Sequence, residues 1–426
     1  MRTTFLFAFV AFALACLQLP AQRTWRVDCA GGPNVDFTDL PPAVAAASPG
    51  DTIWVIYSPQ SQSCSPGFFY SGAITIDKPL TIVGVSSFGV PGSPDPLEMP
   101  IQGKVRITGI PAGQRVTLCN FAILSWSNSA SQFPHGIHVT DCAGEVLLED
   151  VYYLGTGLTQ SIMRFERCAD VVMRGCTFEL SGDPLTLTDS TMVLTNTVVG
   201  WRWPQIYPYG YTSTGPGILL RNSNATLIAS AVLGASEGGP SASLAARPGA
   251  RVESGTLTIG PYTSLRGGYT VQGLSNSSYY LPNPSLGQVF LDPRADPLTF
   301  SGLPYPTPIT LNVTYHDWIV AGETYHIATA GPPGGWGLMA VGSAAITPVP
   351  LFGWGNLAMD PMSVQVIGMR QLDPIDGWTE WTMRCPAMVG TGHVFAFQAA
   401  VLAPNGAISL TLPSPFAVAW PHGQVP

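Results

Sequence analysis

Short runs in which every second residue is apolar recur along the first two thirds of the chain. Six of them align: Val116-Thr117-Leu118-Cys119-Asn120-Phe121, Val146-Leu147-Leu148-Glu149-Asp150-Val151, Val171-Val172-Met173-Arg174-Gly175-Cys176, Met192-Val193-Leu194-Thr195-Asn196-Thr197, then residues 225–230 and 251–256. The third position reads Leu118, Leu148, Met173, Leu194, Leu227 and Glu253, and the fifth reads Asn120, Asp150, Gly175, Asn196, Ala229 and Gly255. Asn, Asp and Gly tolerate the left-handed backbone region. The fifth position therefore predicts a sharp corner in a coil. Before each motif lies another short strand. Alternate side chains of a strand point to opposite faces, so Ile137, Val139, Met163, Phe165, Leu185, Leu187, Ile218, Leu220, Leu244 and Ala246 line a core. His138, Thr140, Arg164, Glu166, Thr186, Thr188, Arg221 and Arg247 face out, as do Leu219 and Ala245. One coil cannot bury its own apolar side, and stacking supplies the partner. The pattern predicts a right-handed parallel β-helix over 23–285, with an ordinary β-sandwich of recurring short strands as the competing arrangement.

The flanks read differently. Arg2, an apolar run over 5–17 and small residues up to Ala21 have the layout of a secretory signal peptide over 1–21. Ala13-Leu14-Ala15-Cys16 is the lesser alternative, a lipobox that would make Cys16 a lipid anchor. Asp39 before Pro41 and Pro42 suits a helix start. Pro41 to Ala47 then forms a short helix that caps the first coil and stops at Ser48-Pro49-Gly50. Seven prolines between 282 and 308 mark linker and domain entry, with the linker itself at 286–308. Beyond it, β-rich runs separated by Pro332-Pro333-Gly334-Gly335 and by the hairpin signal Asn405-Gly406 predict a β-sandwich domain over 309–420. The whole chain is expected to be all-β.

Phe37-Thr38-Asp39-Leu40, Ala43 to Ala47, Gly50-Asp51-Thr52-Ile53-Trp54-Val55 and Ile74-Thr75-Ile76-Asp77-Lys78-Pro79-Leu80-Thr81-Ile82-Val83-Gly84 resemble the opening of the pectin methylesterase and pectate lyase superfamily. That resemblance implies a capping helix leading into a right-handed parallel β-helix. It carries no activity with it, because non-catalytic β-helix proteins share the same opening. Trp354 to Pro361 and Phe397 to Pro404 resemble a C-terminal module recurring in secreted proteins of environmental bacteria, for which no mechanism is implied.

Composition narrows the partners. Only 10% of residues are charged and the net charge is −8. The two lysines, Lys78 and Lys104, give no basic stripe, so a nucleic-acid partner is not expected. No later apolar run is long enough to cross a bilayer. The expected location is secreted, periplasmic or cell-surface, and the expected partner is an extracellular polysaccharide or a cell-surface protein. Of eight cysteines, Cys142 and Cys168 align on adjacent coils at a spacing that permits a disulfide. Cys29 and Cys64, flanking the capping helix, form the second expected pair. Neither a metal nor a cofactor is expected.

Candidate chemistry is thin. Neither the Asp pair and Arg of a methylesterase nor the calcium-binding acids of a lyase can be placed residue by residue. The outward column through Thr140, Glu166, Thr188, Arg221 and Arg247 holds one carboxylate, too few for paired acid and base work. Glu149 and Arg174 occupy one column on adjacent coils, either as an exposed salt bridge or as an acid with a substrate clamp. His138, Arg164 and Glu166 could form a proton-transfer group or ordinary surface polarity. The run Trp201-Arg202-Trp203-Pro204-Gln205-Ile206-Tyr207-Pro208-Tyr209-Gly210-Tyr211 breaks the coil rhythm. Its Trp201, Trp203, Tyr207, Tyr209 and Tyr211 could stack on sugar rings while Arg202 and Gln205 bond hydroxyls, or they could simply pack on the coil. Two functions stay open: a non-catalytic glycan- or protein-binding protein, and a polysaccharide lyase, esterase or hydrolase with a relocated site.

Overall fold

The computed structural model describes residues 22–57, 70–86, 100–125, 136–155, 163–179, 184–200, 215–234, 247–267, 279–296, 307–316, 319–351, 353–386 and 394–418. The expected signal peptide lies outside them. The described chain is almost entirely β, with one helix.

The described residues between 24 and 308 form a parallel β-helix in which each strand pairs with its counterpart one coil away. The coil has three faces. The first carries Thr52–Tyr57, Thr81–Ser86, Asp170–Arg174, Thr191–Thr195, Ser223–Ile228, Gly255–Ile259 and Gly287–Leu291, in continuous parallel register. Arg115–Ser125 and Glu145–Gly155 run from the first face through the corner to the second. The second face continues with Thr177–Glu179, Val198–Val199, Ala231–Leu233 and Ser264–Arg266. The third holds Ile137–Thr140, Met163–Glu166, Leu185–Thr188, Ile218–Arg221 and Ala250–Val252.

The corner ladder exists as the residue choice requires. Asn120, Asp150, Gly175, Asn196 and Ala229 all have φ between 47° and 60°. A second left-handed ladder, Gly109, Asp141, Arg167, Asp189 and Asn222, turns the chain from the third face back to the first. The last coil corrects the sequence alignment. Arg251 to Glu253 belongs to the third face, where Ala250–Val252 pairs with Ile218–Leu220. Gly255 opens a first-face strand opposite Ser223, and the corner there is Tyr262, whose φ is 57°. Leu244, Ala245 and Ala246, expected in that strand, lie outside the described residues. Arg247 precedes the strand. The stack also continues through Gly287–Leu291 to Thr307–Pro308, in the segment whose prolines predict a linker.

Inward side chains make one continuous core that includes Ile53, Ile82, Leu118, Leu148, Met173, Leu194, Leu227 and Ile259 on the first face. Ile137, Val139, Met163, Phe165, Leu185, Leu187, Ile218 and Leu220 join it from the third, all with no solvent exposure. Helix α1, Leu40–Ala46, starts at Asp39, whose side chain accepts the Leu40 N–H. Its Leu40, Ala43 and Val44 enter the same core and close its open end. Asp51 ties this end together by accepting the N–H groups of Arg23 and Ser48 and the Trp25 indole N–H. Burial opposes its charge, but these hydrogen bonds hold its pKa below the ordinary value.

Cys142 and Cys168 are neighbours on adjacent coils, yet both are free thiols. The ladder explains why. They occupy the position filled by Ser190 and Ser223 in the next two coils, where each hydroxyl bonds the carbonyl two residues back. The thiols do the same, Cys142 to Thr140 at 3.4 Å and Cys168 to Glu166 at 3.3 Å. The two thiols also hydrogen-bond each other, so they lie in contact as free thiols. Mass mapping without reduction should therefore recover both as unbonded thiols, and a peptide linking them would refute this arrangement. Cys29 is not among the free thiols, while its expected partner Cys64 lies outside the described residues.

The C-terminal part is a sandwich of two antiparallel sheets. One holds Val313–His316, Thr324–Ala330 and Trp378–Arg384. The other is centred on Trp336–Leu351 and Val394–Leu402, with the predicted hairpin turning at Gly406, φ 85°, into Ile408–Leu410. Tyr325, Ile327 and Trp381 of the first sheet pack on Met339, Phe397 and Ala399 of the second.

Candidate functional site

The three outer faces of the coil have different fates. The first face is covered by the sandwich. Trp54, Val83 and Cys119 point outward there and pack with Ala417. Further along, Ile228 packs with Val313 and Ala330. Between these patches sits the pair Glu149 and Arg174, 0% and 3% exposed. It is therefore not the exposed salt bridge that its place on an outward column favours. Arg174 bonds Glu149 and contacts the His316 ring, and its guanidinium lies 5.9 Å from the Phe416 ring centroid. Glu149 also accepts the Ala417 N–H at 2.5 Å. Burial pushes the Glu149 pKa up, and Arg174 pulls it back. Enclosed in this way, the pair is a joint between the two parts of the chain, out of reach of a polymer substrate.

The second face presents Ala122, Tyr152, Thr177, Val198, Ala231 and Ser264 in one column, a smooth strip with little chemistry. The third face carries the charge. Its pairing register stacks Thr75, Arg106, His138, Arg164, Thr186, Leu219, Arg251 and Tyr280, one per coil. Parallel strands lie about 4.8 Å apart, so this column groups Arg106, His138 and Arg164 on adjacent coils, then passes the buried Thr186 and Leu219 before Arg251 and an aromatic ring. The Arg251 guanidinium sits 5.7 Å from the Tyr280 ring centroid.

His138, Arg164 and Glu166 do come together on this face. Glu166 bonds Arg164 and lies 3.6 Å from His138 and 3.9 Å from Arg167. Burial lowers the His138 pKa; Glu166 opposes that shift, and Arg106 and Arg164 add to it. Asp141, the nearest other acid, bonds Arg167 at 2.6 Å. That bond, with one from the Thr140 hydroxyl, holds its pKa near about 2, so it stays a carboxylate. The assembly can hold an anion or a hydroxyl-rich chain. Glu253, missed as a site residue because the last coil was misaligned, joins this surface by bonding Arg221 and Arg251 at 2.8 and 3.0 Å.

Chain-length variation concentrates beside this face. The first-to-second and third-to-first corners take a few residues each. The connections entering the third face are longer and uneven: 126–136, 156–162, 180–184, 200–217, 234–249 and 267–278. The aromatic run with Trp201, Arg202, Trp203, Gln205, Tyr207, Tyr209 and Tyr211 belongs to one of them and lies outside the described residues. Insertions confined to one edge of a solenoid commonly build its binding surface.

Compared with known proteins, the sequence matches no family model and no curated protein. Among solved structures it is similar to the chitinase ChiW of a Paenibacillus species, a bacterial cell-surface-expressed multi-modular enzyme, at 10% identity and a TM-score of 0.17. The likeness covers 87% of this chain and 24% of that one.

Proposed function

We propose that this is an extracellular, non-catalytic protein that binds an acidic polysaccharide along the third face of its β-helix. The observation that carries the reading is the column Arg106, His138, Arg164 and Arg251, with Tyr280 at its end. Three donors one coil apart, with a fourth three coils further on, suit an extended polymer whose charged groups also recur. The cations attract carboxylates, and the two carboxylates on the column beside it are each shared among arginines, Glu166 with Arg164 and Arg167 and Glu253 with Arg221 and Arg251. The uneven connections on the adjoining edge would frame this strip. Trp201, Trp203, Tyr207, Tyr209 and Tyr211 would stack on sugar rings there, with Arg202 and Gln205 bonding polar groups. The N-terminal segment would direct export by cleavage after Ala21, or by lipidation at Cys16.

Binding and product release are measured together on polygalacturonate, alginate and a neutral glucan. The acidic polymers should be retained without new reducing ends or unsaturated products. Arg106→Ala with Arg164→Ala should weaken retention tenfold or more with little change in melting, because exposed ion pairs contribute about 0–1 kcal/mol. Trp201→Ala with Trp203→Ala should likewise reduce retention and spare the fold. Product release would favour the lyase, esterase or hydrolase reading, and equal binding of the neutral glucan would remove the charge argument.

A further inference from the structure

A second cleft, of about 280 Å³, opens on the three-stranded sheet of the sandwich, lined by Tyr315, His316, His326, Ala328, Trp378 and Glu380. Its shape follows from the strand register. Tyr315, Ala328 and Glu380 lie directly across from one another on three adjacent strands. The middle position is only a methyl group, so the flanking side chains rise around a hollow. On the same face, the Trp378 indole N–H donates to the Tyr315 hydroxyl at 2.7 Å, which fixes both rings. His326 bonds Oε1 of Glu380, leaving Oε2 for a ligand.

The β-helix backs two of these lining residues with a third ring. Tyr262 stands at a corner that meets this sheet, next to the corner of Ala229, with its ring 6.2 Å from Tyr315 and 6.4 Å from Trp378. It is 40% exposed, and its φ of 57° is an uncommon setting for a bulky side chain. The equivalent corners use Asn, Asp, Gly and Ala. A tyrosine held there against backbone preference, beside two rings that line the cleft, is an outlier of the kind that clusters at ligand sites.

We propose that this cleft binds an alkylammonium group, the free amine of an amino-sugar residue. Aromatic rings present negative faces to a cation, and Glu380 supplies a formal charge. Burial raises the Tyr262 pKa to about 12, and Asp376, Asp292 and Asp373 add to the rise while Arg294 opposes it. The same negative field disfavours an acidic ligand. This site is separate from the arginine strip on the third face and does not depend on it.

The test uses the full chain and calorimetric titration with two probes, the trisaccharide of glucosamine and that of N-acetylglucosamine. The free-amine form should bind at least tenfold more tightly. Glu380→Gln should weaken it tenfold or more. Tyr262→Asn should weaken it severalfold, and because Asn suits that corner the variant is expected to fold. Arg106→Ala with Arg164→Ala should leave this binding unchanged, which separates it from the polysaccharide strip. Equal binding of both trisaccharides, no binding of the free amine, or full affinity in Glu380→Gln would each overturn the proposal.

Discussion

Replacing Glu149 with alanine is expected to cost the folded chain about 3–5 kcal/mol, the usual result of removing one partner from a buried ion pair. Arg174 would keep its charge in a site where it is 3% exposed, and the Ala417 N–H would lose its acceptor. The loss should fall on the junction. Glu149 and Arg174 belong to the β-helix, whereas His316, Phe416 and Ala417 come from the sandwich. Urea unfolding of Glu149→Ala should therefore show the two parts losing structure at separate midpoints. Replacing both charges together, Glu149→Leu with Arg174→Met, should be much milder, because no uncompensated charge remains. A loss below about 1 kcal/mol in Glu149→Ala would mean that water reaches the pair and that it behaves as an exposed bridge.

This junction was the part hardest to read from sequence. A parallel coil repeats locally, so its corners and inward residues show up as period and residue choice. Asn120, Asp150 and Asn196 could be assigned to a turn from chemistry alone. The residues that cover Arg174 have no such period, since His316 is 142 positions away. One signal was nevertheless present. Trp54, Val83, Cys119, Leu147 and Val172 are apolar at outward positions of the first face, and all are buried. A strand apolar on both sides is buried on both sides, so Glu149 and Arg174 in the same sheet had to be covered too. On the third face Leu219 is the buried apolar residue at an outward position, and alternation puts His138, Arg164 and Glu166 on its outer side. The last coil failed for a simpler reason: Val252 and Gly255 imitate the spacing of a corner motif although they belong to different strands. Spacing placed Cys142 and Cys168 as neighbours but did not decide whether they bond, whereas Ser190 and Ser223 in the same ladder indicated a hydrogen bond back to the strand.

Asp150→Asn is expected to stabilise the protein at neutral and alkaline pH. Asp150 occupies the left-handed corner at φ 49°, between Asn120 and Gly175 at 59° and 60°. Asn is thus acceptable to the backbone. In the adjacent coil, the Asn120 amide donates to the Gly84 carbonyl at 2.9 Å, a bond of a kind that an ionised carboxylate cannot give. Burial, then the neighbouring Glu149 charge, raise the Asp150 pKa to about 7, against an ordinary value of 3.8, with Arg174 opposing. The sign follows directly. Between pH 3.8 and about 7 the folded chain holds a proton at Asp150 that the unfolded chain has released. Stability then falls as pH rises through that window, and above it the full cost of a buried, poorly compensated carboxylate remains. Each pKa unit corresponds to about 1.4 kcal/mol, which sets a ceiling near ~4 kcal/mol. Partial solvent access at the corner reduces the expected gain to roughly 1–3 kcal/mol. Urea unfolding of the wild type and of Asp150→Asn at pH 4, 6 and 8 measures it. The variant should be ahead at pH 8, and its lead should shrink steadily toward pH 4. A lead that stays constant with pH would assign the effect to the added amide hydrogen bond alone, and a variant less stable than wild type at pH 8 would show that the Asp150 carboxylate is well compensated where it sits.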